Sequence, residues 1–437
     1  MMWNDARLPA LERLLNRQAL CGLLQETLVN DATVQSCRIQ DMTYDPGQRV
    51  TILYAVELAA PRDRAHARHH VVAKLFHAPE EATAAFASAR QLAAQATNEH
   101  GVWKSKAAYR QDDGLVLEVF PVDDMLPGLL LAAQPRTVQP LLAADLAESS
   151  NGGDVQAELL RYRAGRRATL RYRLRDGSMI YGKVYPPGKG RQTFQLMQAV
   201  WSANIAPRDL MTAEPLAFFD EYGLLLQGAV PGRSLKDLNS GCDAGNVMPR
   251  VARGLAALHA RAPVVGPRYD ARDDLARLRR HTRRIARLVP ELARRLDDCL
   301  EILERGADSS ALQFCLTHGD CKPSQLLIDG RSVGLIDFDH AGSADPARDV
   351  GAFLATLEKY RASEPETNWA AAPPIAAATG SDESLGAKES RWFKKPYAPF
   401  DAAPIPSCPR GWWKLHKKNS RVHCQRMVRW NTARESG

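Results

Sequence analysis

The side chains best suited to chemistry lie in one stretch, Phe314 to Leu354. It holds His318-Gly319-Asp320, then Gln325, Asp337, Asp339, Asp345 and Asp349. Gln325 to Ile328 reads as a short strand, Asp329-Gly330 as a turn, and Val333 to Phe338 as a second apolar strand. A hairpin brings its two ends together, so Asp320, Gln325 and Asp337 should converge on one point. Asp345-Pro346 opens a helix, since Asp is a good N-cap and proline is favoured at the first helical position. Carboxylates and an amide oxygen gathered in this way suit phosphoryl transfer. One carboxylate orients or deprotonates an attacking hydroxyl, and hard oxygen ligands hold magnesium on the phosphates.

Protein kinases meet the same need with an Asp, an Asn five residues later and a second Asp beyond a hairpin. Here the three are Asp320, Gln325 and Asp337. The stretch resembles the aminoglycoside phosphotransferase and choline kinase-like family, within the protein kinase-like superfamily. That family's pattern is His-Gly-Asp, four residues, Asn, then Ile-Asp-aromatic, then Asp-Pro-two residues-Asp. This chain has His318-Gly319-Asp320, Gln325, Ile336-Asp337-Phe338 and Asp345-Pro346-Ala347-Arg348-Asp349. The one departure is Gln325, which keeps the oxygen donor on a longer arm. Sugar kinases such as maltokinase share it, which leans toward a sugar-kinase-like branch.

The resemblance implies Asp320 as catalytic base, with His318 supporting its loop and Asp349 bracing it from below. It implies Gln325 and Asp337 as magnesium ligands, with Asp339 helping at a second metal. The implied activity is transfer of the γ-phosphate of ATP, with Mg2+, to a hydroxyl of a small molecule such as a sugar or sugar derivative. The competing reading is a pseudokinase, a regulatory module that binds nucleotide without turnover.

The elements that must position these groups recur along the chain. Tyr44 to Val56 and Tyr162 to Leu174 share tyrosine, turn, Gly, Arg, Thr and Tyr at an offset of 118 residues. Val71 to Phe76 and Ile180 to Tyr185 match lysine on lysine, Lys74 on Lys183, at an offset of 109. The Thr83 helix matches Thr193 to Trp201, and Gly114 to Glu118 matches Gly223 to Gln227. Hairpin, lysine strand, helix and further strands follow the order of a kinase small lobe. The expected fold is therefore α+β and protein kinase-like, two lobes facing a cleft, with an extra degenerate small lobe at the N-terminus.

The expected domains are 1–150, an N-terminal cap or homodimer surface; 155–232, the nucleotide lobe; 233–360, the catalytic lobe; and 361–437, an irregular basic tail. Residues 1–36 read as helical and 131–154 as a linker. Within the nucleotide lobe the resemblance implies Lys183 on the α/β-phosphates and the turn around Gly165 and Arg166 covering them. The helix after Lys183 offers no Glu or Asp to pair with it, and Glu214 is the next acid. His259, at the end of the helix Val247 to Ala260, reads as structural. Eight arginines against one acid across 277–295 read first as a solvated helix face; the alternative, that the helix flanks the acceptor as the resemblance implies, suits a neutral or anionic acceptor better than a polycation.

Charge locates the tail. The chain has 58 Lys+Arg and 50 Asp+Glu, and residues 391–437 hold eleven of the former and two of the latter. The body is near neutral, so the basic balance gives no sign that it binds nucleic acid. After the Ala/Pro/Gly/Ser run 370–387, apolar periodicity is lost, as in a linker followed by a stretch free of folding constraint, such as a shifted reading frame. The start of the chain lacks a secretory pattern and no run is long enough for a membrane span. Eight scattered cysteines without a CxxC pair fit reduced thiols. Together these point to a cytoplasmic protein.

Overall fold

The computed structural model describes residues 5–59, 67–97, 101–145, 155–238, 244–306 and 314–363. The expected tail, 364–437 within it, lies outside the described residues. The chain divides into two compact units, one of residues 5–191 with 216–227, the other of 192–215 with 228–363. The class is α+β, as expected. No helix among the described residues is long and apolar enough to cross a membrane.

The first unit opens with helices α1 (Leu11–Leu15) and α2 (Arg17–Thr27). Strands β1 (Thr33–Asp45), β2 (Arg49–Ala59) and β3 (Ala67–Phe76) follow, then helix α3 (Pro79–Gln95), β4 (Ala107–Arg110) and β5 (Leu115–Val119). They form a five-stranded sheet in the order β1-β2-β3-β5-β4. Strand β2 reads Arg-Val-Thr-Ile-Leu-Tyr-Ala-Val, with little apolar-polar alternation, because both its faces are covered. Ile52, Tyr54 and Val56 pack with Leu11, Leu14, Leu20 and Leu24 of the two helices. Leu53 and Val72 point the other way and join the core of the elements that come next.

Those elements are α4 (Leu129–Ala132), α5 (Pro135–Asp145), β6 (Gln156–Arg163), β7 (Arg167–Arg173) and β8 (Met179–Val184). After α6 (Arg191–Ser202) and β9 (Met211–Thr212), β10 (Pro215–Phe219) and β11 (Leu224–Gly228) complete a second sheet, β6-β7-β8-β11-β10. The strand order repeats that of the first sheet. So does the register at the lysines, with Thr51 opposite Lys74 and Thr169 opposite Lys183. The linker expected at 131–154 is a correction, because α4 and α5 occupy its first half. The run Ser149-Ser150-Asn151-Gly152-Gly153-Asp154 at its end suggested a linker throughout, yet Pro135 takes the first position of α5, where a proline is tolerated.

Correspondence between the halves reaches further back than the strands. Tyr54 donates its hydroxyl to the Leu14 carbonyl at 2.9 Å, and Tyr172 donates to the Ala132 carbonyl at 2.8 Å. Both donor and acceptor move by 118 positions. Cys21 and Cys37 are free thiols whose sulfurs lie 3.0 Å apart, a proximity that scattered spacing did not suggest.

The second unit carries the helices α7 (Ala244–Arg261), α8 (Ala271–Leu288), α9 (Ala293–Gly306) and α10 (Ala347–Ser363). Asp270 caps α8 through the Asp273 N–H at 2.8 Å, with Asp273 reciprocating as a capping box. Its small sheets are β12-β14-β15-β9 and β13-β16, built from β12 (Arg233–Ser234), β13 (Cys315–Thr317), β14 (Leu326–Asp329), β15 (Ser332–Leu335) and β16 (Gly342–Ala344).

Candidate active site

The hairpin forms where the spacing placed it. Strands β14 and β15 pair antiparallel from Leu326↔Leu335 to Asp329↔Ser332, and Gly330 turns the chain at φ 52°. At the open end the Ile336 N–H donates to the Gln325 carbonyl at 3.0 Å. This closes the hairpin on the side where the acids sit. Gln325 is buried, and its Nε2 donates to Asp337 at 3.1 Å and to Asp320 at 3.3 Å. The three residues that spacing predicted to converge therefore touch. Asp337 adopts a left-handed backbone, φ 75° and ψ 63°, uncommon for a non-glycine residue and common at sites where strain is tolerated. Asp339 follows in the single turn Phe338–His340 and is half-buried.

The loop bearing Asp320 is fixed from beneath. The Asp349 carboxylate accepts the backbone N–H of His318 at 2.7 Å on one oxygen and that of Gly319 at 2.7 Å on the other. His259 adds a third hydrogen bond at 3.0 Å. Burial alone would raise the pKa of Asp349. The His259 hydrogen bond and the nearby His318 outweigh burial and hold it below the usual carboxylate value. The helix that presents Asp349 starts where expected, with Asp345 accepting the Ala347 N–H at 2.7 Å. His318 is fully buried and its Nε2 lies 3.0 Å from the Ile336 carbonyl. A carbonyl can only accept, so Nε2 carries the proton and the ring ties the Asp320 loop to the strand before Asp337. His318 thus sits as a support, and His259 sits as a structural partner of Asp349.

Gly319 shows why this loop needs a glycine. Its φ is +75°, and a Cβ there would run into the His340 carbonyl and the Arg348 guanidinium. Arg348 in turn stacks over Tyr269 at 4.3 Å and pairs with Asp274 in the first turn of α8 at 3.3 Å. The arginine-rich helix is tied in this way to the Asp320 loop. Arg277, Arg279, Arg280, Arg283 and Arg287 are exposed along it, with Arg277 on Asp274 and Arg279 on Glu304.

One residue of this site was missed from the sequence. Lys322 pairs its ammonium with Asp320, two positions away on the same loop. A cation at that spacing after the candidate base was the signal available.

The residues at Gln325 fit magnesium. Its Nε2 faces the two carboxylates and its buried Oε1 accepts no hydrogen bond, so a turn of the amide would set that oxygen beside the carboxylate oxygens, the hard ligands the ion takes.

Lys183 lies in the first unit, buried on β8 opposite Thr169. Gly165, at φ 67°, turns the chain between β6 and β7, with the Arg166 N–H donating to the Arg163 carbonyl at 3.0 Å. Arg166 is exposed. Burial lowers the pKa of Arg163, and the crowding of Arg161, Arg167 and Arg166 lowers it further, as in a turn whose positive charge is concentrated. Asp123, also missed from the sequence, accepts the Gly165 N–H at 2.7 Å. Carrying the 118-residue offset back to Asp5 would have found it.

Among solved structures, similarity of low identity is found to aminoglycoside phosphotransferases. A thermostable mutant of APH(4)-Ia, in ternary complex with ADP and hygromycin B, is 16% identical, with 64% of this chain and 86% of that chain covered and a TM-score of 0.42. The enzyme APH(3'')-Id from Streptomyces rimosus, in complex with ADP and streptomycin, is 21% identical over 59% of this chain and 96% of its own, with a TM-score of 0.39. The macrolide 2'-phosphotransferase MphH from Brachybacterium faecium is 15% identical, covering 59% and 86%, with a TM-score of 0.36. No curated protein matches the chain by sequence. The model of the phosphotransferase enzyme family, APH, matches residues 157–379, just over half of the chain and all of the Asp320 to Asp349 site. The chain belongs to the phosphotransferase enzyme family.

Proposed function

We propose that this chain moves the γ-phosphate of ATP to a hydroxyl of a neutral or anionic small molecule, a sugar or sugar derivative. The observation that carries the proposal is the single buried amide of Gln325 joining Asp320 to Asp337. Asp320 orients the acceptor hydroxyl and takes its proton, while Lys322 pairs with that carboxylate and fixes its orientation. Gln325 and Asp337 would hold magnesium, with Asp339 at a second ion, and the metal supplies charge screening on the phosphates when bound. Lys183 binds the α/β-phosphates, and the turn at Gly165 and Arg166 covers them. The buried Asp349 keeps the His318-Gly319-Asp320 backbone from shifting during turnover.

The acceptor class rests on α8. Its exposed arginines are joined to the Asp320 loop through Asp274 and Arg348. A polycationic aminoglycoside would meet like charge there, whereas a sugar or sugar phosphate would not. The N-terminal half supports reading as a degenerate nucleotide lobe, because its strand order and lysine register repeat those of the second sheet.

One observation favours the pseudokinase reading. Glu118 pairs with Lys74 in the first sheet, and its counterpart in the second sheet is Gln227. The deciding experiment is magnesium-dependent ADP release across a panel of sugars, sugar phosphates and aminoglycosides. Release with a sugar or its phosphate supports the proposal. Nucleotide binding without release on any acceptor supports the pseudokinase, and selective release on aminoglycosides overturns the acceptor class.

A further inference from the structure

Asp5 and Asp123 stand 118 positions apart and make the same four bonds. Asp5 Oδ2 accepts the Tyr44 hydroxyl at 2.7 Å and the Gly47 N–H at 2.8 Å, while Oδ1 accepts the Arg7 N–H at 3.0 Å. Asp123 Oδ2 accepts the Tyr162 hydroxyl at 2.8 Å and the Gly165 N–H at 2.7 Å, while Oδ1 accepts the Met125 N–H at 3.1 Å. In both cases the backbone carbonyl of the aspartate accepts from the residue three ahead, Leu8 or Leu126. Both glycines turn their hairpins at nearly the same φ, 69° and 67°. Each half therefore begins with an aspartate that clamps the glycine turn of its own first hairpin.

The two clamps differ in what stands behind them. Asp5 is partly exposed, whereas Asp123 is fully buried and meets Lys74 at 3.2 Å through its second oxygen. Lys74 is the first-half counterpart of Lys183. Its ammonium also meets Glu118 at 2.6 Å and pairs with Asp124. Carboxylates of the second half thus occupy the Lys74 ammonium, which is the group that would otherwise face an anion. We propose that Asp123, braced by Lys74, is a positioning residue for phosphotransfer that holds the Gly165 turn in its phosphate-covering shape, and that Lys74 binds no nucleotide because this duty consumes it. The inference rests on the nucleotide reading of Lys183 and Gly165 given above.

The charges are consistent with a permanent clamp. Burial works to lower the pKa of Lys74, but Asp123, Glu118 and Asp124 together hold it above the ordinary lysine value. Burial raises the pKa of Glu118, with Asp123 and Asp124 adding to it, and the Lys74 ammonium at 2.6 Å opposes that rise. The Tyr162 phenol is pushed well up by burial and by Asp123, so it stays a hydroxyl donor. An amide N–H bonded to a buried carboxylate is among the stronger hydrogen bonds in a protein.

The test compares the two clamps in the full chain. Asp123→Asn should raise the KM for ATP by about 10- to 100-fold, the scale of losing a hydrogen bond to a charged group. Its kcat should change much less. Asp5→Asn breaks the same bonds in the first half, so it should lower thermal stability and leave the KM for ATP unchanged. Should Asp123→Asn fail to fold, Tyr162→Phe removes one clamp bond and should raise the KM in the same direction by a smaller factor. Calorimetric titration of ATP should give one site per chain, lost in Lys183→Ala and weakened but still present in Lys74→Met, which removes the brace behind Asp123. Equal KM effects of Asp5→Asn and Asp123→Asn, or two nucleotides per chain, would overturn the inference alone. Nucleotide affinity unchanged in Lys183→Ala would overturn the nucleotide reading and the inference with it.

Discussion

The Asp349 carboxylate and the His318 backbone N–H meet at 2.7 Å across 31 residues of chain. This contact carries the Asp320 loop on the first turn of α10, where a carboxylate is also favoured by the helix dipole. Because Asp349 is buried and ionised, it is the weak point of the site in acid. Its folded-state pKa lies below 3.8, so its stabilisation is complete above that range and is lost as pH falls through the folded value. Asp349→Asn should cost about 1.5–3 kcal/mol at neutral pH. The gap in melting temperature between parent and variant should be widest from pH 5 to 7 and shrink below pH 4. A constant gap across that range would show that charge is not what Asp349 contributes.

Asp320 and Asp337 share one amide, yet their duties should separate. Asp320→Asn should leave magnesium-ATP affinity nearly intact while turnover falls by about 10²–10⁴-fold, the scale for losing a positioned base. Asp337→Asn should weaken magnesium-ATP binding as well as turnover, and chelation of the metal should mimic it. Isothermal titration of each variant, paired with ADP release, measures both. Equal loss of nucleotide binding in the two variants would sink the division of labour.

Gly319→Ala tests the loop's geometry without touching a charged group. The new methyl would meet the His340 carbonyl, and a positive φ is strained for alanine whatever the space. We expect a melting temperature lower by several degrees and turnover reduced more than the drop in folded fraction explains. A neutral outcome in both would mean that the loop relaxes freely and that Asp349 does not hold it rigid.

Gln325→Asn shortens the amide by one methylene. Nε2 now reaches Asp337 at 3.1 Å and Asp320 at 3.3 Å, so the shorter arm cannot keep both contacts without movement of the hairpin. Activity should be retained but altered, with a changed magnesium requirement as its signature. ADP release against magnesium concentration checks this, and an unchanged profile would argue that Gln325 is not a ligand.

The site was legible in the sequence because its logic is local. Asp320, Gln325 and Asp337 lie within 18 residues, separated by two short apolar runs and an Asp-Gly turn, and a hairpin of that length has few ways to close. Repetition of the strands was legible for a similar reason, since tyrosine, glycine and lysine recur at fixed offsets. Helices α4 and α5 were not, because the Ser/Gly-rich run at 149–154 read as the end of a linker, and the apolar faces of the helices show only in the core they share with Leu53 and Val72. Pairing of His259 with Asp349 spans 90 residues, and capture of Lys74 by Asp123 and Asp124 spans about 50. Such contacts leave no period in the chain: a lysine in an apolar strand looks the same whether its charge meets a nucleotide or a carboxylate. Which partner each lysine meets is decided only when distant segments pack, because burial makes an unpaired charge too costly to leave and the nearest acids in space, not in sequence, must answer it.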